Sequence, residues 1–363
     1  MRYLVTFKPL GYFFFGNERT FSEDYVAKSA YFPQNTQLLG ALRRFLAEEA
    51  GLLKVHGNGR YPNKEDMAAY RRLTGTATTE SFENDDNLGA ISYLSSMFLV
   101  NKKRDDALFR IPFDVEVNKE NVRRYTLANV GSAYTFIDYD AKKTSAPFLG
   151  GKRFWEAYLS GAEIERGSLQ PFVYAKDKKK QTEEGIFVPH AQVGIGLDRK
   201  QVIEKMFYRK EDFTLAKAWQ FACVVELDDT IMKFPKKGMI QIGAEGSMFA
   251  LESFVLEEEE VASHPVVSAL GSTPNTGNTH VCISDVMVSH TDVLQSDFAL
   301  IPYERNMAML VAPRGKYKGK SRVSRLVPKG SVLYYYEAKA CTATPAPGAY
   351  AKMGYNQIIT FNR

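Results

Sequence analysis

Side chains that do chemistry are thinly spread in this chain of 363 residues. Its five histidines, His56, His190, His264, His280 and His290, stand far apart with no HxH, HxxxH or Cys–His spacing, so no metal-ligand set is legible. Asp85-Asp86 and Asp105-Asp106 are acidic pairs of the kind that hold Mg²⁺, but neighbours on a strand point to opposite faces, and turn formation is the plainer reading. There is no P-loop, no GxSxG and no triad pattern, and Gly194-Ile195-Gly196 lacks the third glycine of a dinucleotide fingerprint. Hydrolase, kinase and dehydrogenase classes lose most of their weight, and no cofactor or metal is expected. What remains are glycine-flanked backbone segments beside basic and aromatic groups. The run from Val188 to Arg199 offers an imidazole and a guanidinium, with glycines that let another backbone or a nucleotide approach closely. Gly243-Ala244-Glu245-Gly246-Ser247 offers several backbone N–H groups, either as an anion nest or as a plain tight turn, with Glu245 opposing a phosphate unless paired.

Aromatic and basic residues supply the rest. Tyr12, Phe13, Phe14 and Phe15 could stack on bases, although such a cluster is more often core, with one or two rings exposed at most. On the first helical stretch Arg44 has Glu48 at i,i+4, whereas Arg43 has Ala47 there, so Arg43 is the cation expected to be free for a ligand. The net charge of +5, from 47 Lys+Arg and 42 Asp+Glu, names no partner by itself. Its distribution says more. Arg314, Lys316, Lys318, Lys320, Arg322, Arg325 and Lys329 lie in one tract without an acid, while the rest of residues 161–363 is net −5. Gly315, Tyr317 and Gly319 thread through that tract, which reads as a flexible basic loop suited to a phosphate backbone, or as a solvated loop. Lys176 to Gly185 reads as a mixed-sign hairpin tip or loop. Glu257 to Glu260 reads as an exposed turn after a strand, with a site for a basic partner subunit as the alternative.

The elements that position these groups are mostly strands. Residues 2–15 read as a strand entering an aromatic turn, and 17–32 as loop. Pro33-Gln34-Asn35-Thr36 supplies a breaker and cap for a helix whose Leu39, Leu42, Leu46 and Ala50 recur at three and four, ending near Gly51. Residues 56–105 read as an insertion containing a helical fragment at Lys64–Leu73. Strands are expected at Leu108–Val117, Leu169–Ala175, Trp219–Leu227, 238–251 (broken at the Gly243 turn), Met307–Val311, Val332–Lys339 and Gln357–Phe361, a short helix at Arg153–Leu159, and loop at 263–278. The expected class is α+β, opening like a ferredoxin-like unit, with an N-terminal domain over 1–212 and a C-terminal one over 213–363. Three scattered cysteines (Cys223, Cys282, Cys341) make no disulfide framework. Lys8 interrupts the N-terminal apolar stretch too early for a secretory signal, and no apolar run approaches a membrane span, so a cytoplasmic protein with no membrane partner is expected.

Five segments in order carry a resemblance: Gly11–Phe21 with Arg19, Phe32–Arg43, His190–Arg199, Gly238–Ser247 and Val327–Tyr335. Together they resemble the third-subunit family of the type III-B CRISPR (Cmr) RNA-silencing complex, in the RAMP superfamily. The resemblance implies two ferredoxin-like (RRM-like) domains with an insertion in the first. It implies a non-catalytic, antiviral RNA-binding subunit that holds the 5′ repeat-derived tag of the guide RNA and docks the large polymerase-like subunit and the first backbone subunit. Carried by position, it assigns RNA contacts to Arg19, Gln34, Arg43, His190 and Arg199 and to the tract residues Arg314, Lys316, Tyr317, Lys318, Lys320 and Arg322. Ala244 and Ser247 stand where the family has a second glycine and an arginine, so Gly243, Glu245, Gly246 and Ser247 are assigned to either RNA or subunit contact. The competing expectations are a metal-free RNA-processing endoribonuclease of the same superfamily using His190 as general acid or base, and a protein-only scaffold.

Overall fold

A computed structural model describes residues 1–16, 26–56, 59–78, 81–118, 121–130, 133–137, 148–173, 175–176, 183–198, 201–243, 246–272, 276–288, 295–302, 305–307, 310–311, 319–320, 324–340 and 348–362. The elements that matter here are, in chain order, β1 (Arg2–Pro9), β2 (Val26–Lys28), helix α1 (Asn35–Glu49), helix α2 (Met67–Thr74), helix α3 (Lys152–Ser160), β3 (Phe187–Asp198), β4 (Gln201–Leu215), β5 (Trp219–Leu227), β6 (Lys237–Gln241) and β7 (Met248–Val255).

β1 sets the architecture because both of its faces are apolar. Successive side chains on a strand alternate sides. Tyr3, Val5 and Phe7 therefore enter one core and Leu4 the other. A strand buried on both faces belongs inside a sheet, and β1 pairs antiparallel with β5 on one side and β7 on the other. The largest sheet among the described residues has nine strands in the order 169–171, 148–150, 107–110, 98–101, β5, β1, β7, β6, with 91–94 also pairing β5. On the first face α1 seats Leu38, Leu42, Phe45 and Leu46 against Val5, Phe7 and Phe221. On the second, Phe154, Trp155 and Tyr158 of α3 pack with Leu4, Val224 and Tyr334. Tyr334 belongs to a four-stranded antiparallel sheet ordered 298–300, 332–340, 276–282, 358–361. The fully buried Asp114 joins these layers, its carboxyl group accepting from Tyr158 Oη at 3.1 Å and from Tyr334 Oη at 2.7 Å.

The mixed α+β class, with many strands and few helices, agrees with the sequence reading. So do α1, α3, β5 and the interruption between β6 and β7. Other segments differ. The 56–105 span, expected as an insertion, holds α2 but also sends strands 91–94 and 98–101 onto β5 in the central sheet. Its Gly, Asn and Thr content and the serines at 92, 95 and 96 concealed the strands; Phe98–Val100 is buried on both faces, Leu99 in one core and Phe98 and Val100 in the other, and so shows no alternation. Residue 212 lies inside β4, and strands from either side of it share the central sheet. The span 17–32, expected as loop, contains β2, and 263–278 contains a short helix at Pro265–Ala269 and the start of a strand at Thr276. β4 had no counterpart in the sequence reading. It is rich in charged residues, and the periodicity of a strand needs one dry face to be legible. It pairs with β3 as a long antiparallel hairpin and with β2 in parallel.

Candidate nucleic-acid interface

The start of α1 is fixed from within. The Gln34 carbonyl accepts from the N–H groups of Gln37 (3.0 Å) and Leu38 (3.1 Å), and Gln37 Oε1 accepts from the Gln34 N–H at 3.4 Å, which satisfies donors that a helix N-terminus leaves open. Asn35 Nδ2 donates to the Met353 carbonyl at 2.6 Å and to Ser96 Oγ at 2.9 Å, so segments distant in sequence hold the helix in place. The outward side of α1 (Thr36, Gly40, Arg44) then forms one wall of an open groove of about 720 Å³. The other wall is the edge strand β6 with Met239, Gly243 beyond it, and Met248 at the start of β7. Met239 and Met248 are 52% and 38% exposed, an adaptable thioether-lined surface. On the rim Glu48 Oε1 lies 3.0 Å from Arg44 Nε and 3.6 Å from Arg60 Nη1. Two guanidiniums share one carboxylate, which leaves the rim net positive.

Gly243, just beyond β6, is the residue that brings this wall to the segment after β1. Gly243 has φ +86° and a Cβ there would sit 2.5 Å from the Phe14 carbonyl oxygen, so only glycine allows this approach. The Ile242 N–H donates to the Ser247 carbonyl at 3.2 Å, and the Phe14 N–H donates to Ser247 Oγ at 3.0 Å. The turn is thereby fastened to the aromatic segment after β1. That segment divides as expected for such a cluster: Phe13 and Phe15 are buried, whereas Tyr12 is 54% exposed. Tyr12 meets His190 edge-on at a centroid distance of 4.3 Å. His190, on β3, places Nε2 3.2 Å from Thr214 Oγ1 and stands opposite Asp212 on β4. Asp212 is buried and its Oδ2 accepts from Gln192 Nε2 at 3.3 Å and lies 3.5 Å from Lys210 Nζ, which in turn sits 5.1 Å from the Phe14 ring centroid. Contacts therefore run from Gly243 on the groove wall to the Phe14 backbone, and from Tyr12 of the same segment to His190.

Of the assigned residues, Gly243 lines the groove; Gln34 precedes the helix that forms its wall, Ser247 is buried behind Phe14, and His190 packs on Tyr12. Arg43 behaves otherwise. Its Nη1 donates to the Ala77 carbonyl at 2.6 Å and Nη2 to the Asn87 carbonyl at 3.3 Å, while burial brings its pKa down to about 10. It clamps the segment after α2 onto α1, and the expectation that its charge is free is corrected: the i,i+4 rule sees only contacts along the helix. Arg44, set aside as a surface pair, lines the groove. Arg60, Met239 and Met248 had no signal in the sequence, because only the fold brings them to α1. Arg19, Arg199, Glu245, Arg314, Lys316, Tyr317, Lys318 and Arg322 lie outside the described residues, and Lys320 falls on a two-residue strand pairing with 310–311.

The remaining polar clusters are structural. Asp85 accepts from Thr76 Oγ1 and the Asn87 N–H, and Asp106 accepts from the Lys152 N–H at the start of α3, as turn and cap formers do. His264 and His280 are buried, and among the described residues no group of three His, Cys, Asp or Glu is placed to hold a metal. No described helix is long and apolar enough to cross a membrane. An open groove with two arginines on its rim, tied to a segment that exposes Tyr12, suits holding a strand of nucleic acid, whose phosphates meet cations and whose bases stack on rings.

Residues 5–275 match the Cas_Cmr3 family, described as CRISPR-associated protein (Cas_Cmr3). No curated protein matches the chain. Among solved structures, a chain of the type III-B Cmr-beta complex bound to cognate target RNA is similar at 13% identity and a TM-score of 0.51, covering 99% of this chain and 96% of that one. A chain from the same kind of complex bound to cognate target RNA and AMPPnP has 12% identity and a TM-score of 0.44, covering 92% and 86%. A chain of the Csm1-Csm4 cassette in complex with pppApA has 13% identity and a TM-score of 0.38, again covering 92% and 86%. The first of these is a likeness of fold.

Proposed function

The chain belongs to the Cas_Cmr3 family of CRISPR-associated proteins, and from that premise we propose that it is a non-catalytic, RNA-holding subunit of a type III-B effector complex, in the position of its third subunit. In this reading it grips the 5′ repeat-derived tag of the guide RNA and docks the large polymerase-like subunit and the first backbone subunit, in the cytoplasm. Two ferredoxin-like units underlie it, the first built on β1 and α1, the second on the sheet of residues 276–361.

One observation carries the reading: the groove between α1 and β6 has two arginines on its rim and is tied, through Gly243 and Phe14, to the segment that exposes Tyr12 beside His190. Held RNA needs cations, stacking rings and backbone donors rather than a paired acid and base. The test is to purify the chain from its native cell and sequence the RNA that accompanies it. A uniform short 5′ tag supports the reading; random or absent RNA overturns it.

A further inference from the structure

The central sheet is covered unevenly. On its second face, the one that holds Leu4 and Val224, the last ring of β7 packed into the α3 layer is Phe254, and the Arg104 guanidinium sits on that ring at 3.9 Å. Beyond it the register sets three rows across β6, β7 and β1, because residues directly opposite in an antiparallel pair point to the same side. Lys237 stands opposite Glu252, and Glu252 opposite Thr6; the next row is Met239, Ala250 and Lys8. The 3.0 Å contact of Lys237 Nζ with Glu252 Oε1 reflects that shared side. In the third row Gln241 stands opposite Met248, whose carbonyl accepts from the Leu10 N–H at 3.0 Å. Leu10 is 54% exposed, as open as Met239. Lys8 is exposed and makes no ion pair among the described residues, whereas the carboxylate of these rows, Glu252, is taken by Lys237. Lys102, Lys103 and Lys217 are exposed at the same end of the sheet, where the Lys102 N–H donates to the Ala218 carbonyl at 3.2 Å. The nearby carboxylates are engaged: Asp105 accepts from Asn101 Nδ2 and Asp106 from the Lys152 N–H, and Glu260 shares a cleft with Lys152 and Arg153.

We propose that this bare stretch of β6, β7 and β1 is a docking surface for an amphipathic helix of a neighbouring protein, which sets an apolar stripe on Leu10, Met239, Met248 and Ala250 and a carboxylate on Lys8. Helices already cover the rest of this sheet, α1 on one face and α3 on the other, and a helix laid here continues the α3 layer to the sheet edge. Thioether side chains adapt to the shape that packs on them. The three rows carry no aromatic ring for a base to stack on, which favours a protein over RNA at this face. Lys8, without a carboxylate of its own, sets the charge of the occupant: acidic residues beside the stripe gain a partner, and basic ones are opposed. Met239 and Met248 also rim the α1 groove, whereas Lys8, Leu10 and Ala250 do not line it. Docking here needs no RNA in the groove.

The test replaces Met239 of the full chain by photoreactive p-benzoylphenylalanine in its native cell, irradiates intact cells and identifies the cross-linked segment by mass spectrometry. A segment of another protein with apolar residues at i, i+3 and i+4 and flanking Asp or Glu is expected. Cross-links only to RNA, to a second copy of this chain or to another segment of the same chain overturn the proposal, and so does the absence of any. Lys8→Glu is expected to lower the yield about tenfold, because it turns an attraction into a like-charge contact. Lys8→Gln should lie between that variant and wild type. Reversing the nearest carboxylate of the captured segment to Lys is expected to restore the yield in the Lys8→Glu background, and a yield indifferent to Lys8→Glu overturns the docking surface. The purified Lys8→Glu chain is expected to melt as wild type does and to keep its salt slope for a labelled oligoribonucleotide. A flattened slope would mean that this face holds RNA and overturns the protein occupant, while loss of RNA binding in Arg44→Gln with Arg60→Gln reports separately on the groove.

Discussion

The backbone N–H of Phe14 donates to Ser247 Oγ at 3.0 Å, across 233 positions of sequence. This bond couples the aromatic segment after β1 to the start of β7, beside Gly243 on the groove wall, and Tyr12 of the same segment packs on His190. Ser247 is buried, so its hydroxyl acts inward, on the position of the turn. Ser247→Ala is expected to remove one hydrogen bond, a loss of about 1 kcal/mol in stability. RNA affinity is expected to fall with it, because the turn is no longer fixed to Tyr12–Phe14. Ser247→Thr retains the acceptor and should lose less. Equal affinity of Ser247→Ala and wild type would show the turn to be irrelevant to the ligand.

Adjacent arginines are expected to separate stability from binding. Arg43 is committed to two backbone carbonyls, and Arg43→Ala leaves those acceptors unmet and a gap at the α1–α2 contact, a loss of roughly 2 kcal/mol. Arg44 and Arg60 share Glu48 on the groove rim, and exposed pairs of this kind contribute little to stability. The double change Arg44→Ala with Arg60→Ala should therefore leave urea unfolding nearly unchanged and reduce the salt slope of RNA binding by about 1.4. The reverse pattern, a slope change only in Arg43→Ala, contradicts the groove.

Tyr12 offers the exposed ring of its cluster, and His190 packs against it. Tyr12→Ala is expected to weaken RNA binding by about 1–3 kcal/mol, and Tyr12→Phe to leave it nearly intact, since stacking needs the ring and not the hydroxyl. Incubating repeat RNA with the protein in chelator should yield no cleavage. Cleavage that disappears in His190→Ala would replace the holding role with a metal-free nuclease.

His264 is expected to make folding sensitive to acid. It is buried, its Nδ1 accepts from the Val266 N–H at 3.1 Å, and burial pushes its pKa down to about 3. The folded state therefore keeps the ring neutral where the unfolded chain, with a pKa of about 6.5, takes up a proton. Above that pH the contribution is fully present; it is lost progressively as pH falls toward about 3, by roughly 1.4 kcal/mol per unit. Chemical unfolding at pH 7 and pH 5 should differ by about 2 kcal/mol on this account. In His264→Gln the difference should shrink, and an equal difference in both proteins removes His264 as its source.

Much of the scaffold was legible in order along the chain. Pro33 and the Leu39, Leu42, Leu46 spacing marked α1, and the glycines at 243 and 246 marked the break between β6 and β7, because caps, turns and a half-buried helix leave local signals. β4 and the strands at 91–101 left none: β4 mixes charged and apolar residues along its length, and Phe98–Val100 is buried on both faces, so neither alternates. The sequence alone determined the class, the absence of a legible metal or nucleophile motif, and the helix and the glycine break that flank the groove. Which cation serves it was decided by tertiary structure. Arg43 and Arg44 are chemically equal and adjacent, yet one turns into carbonyls of residues 77 and 87 and the other faces β6. A side chain's commitments are set by what folds against it, and contacts between distant segments leave no mark in local spacing.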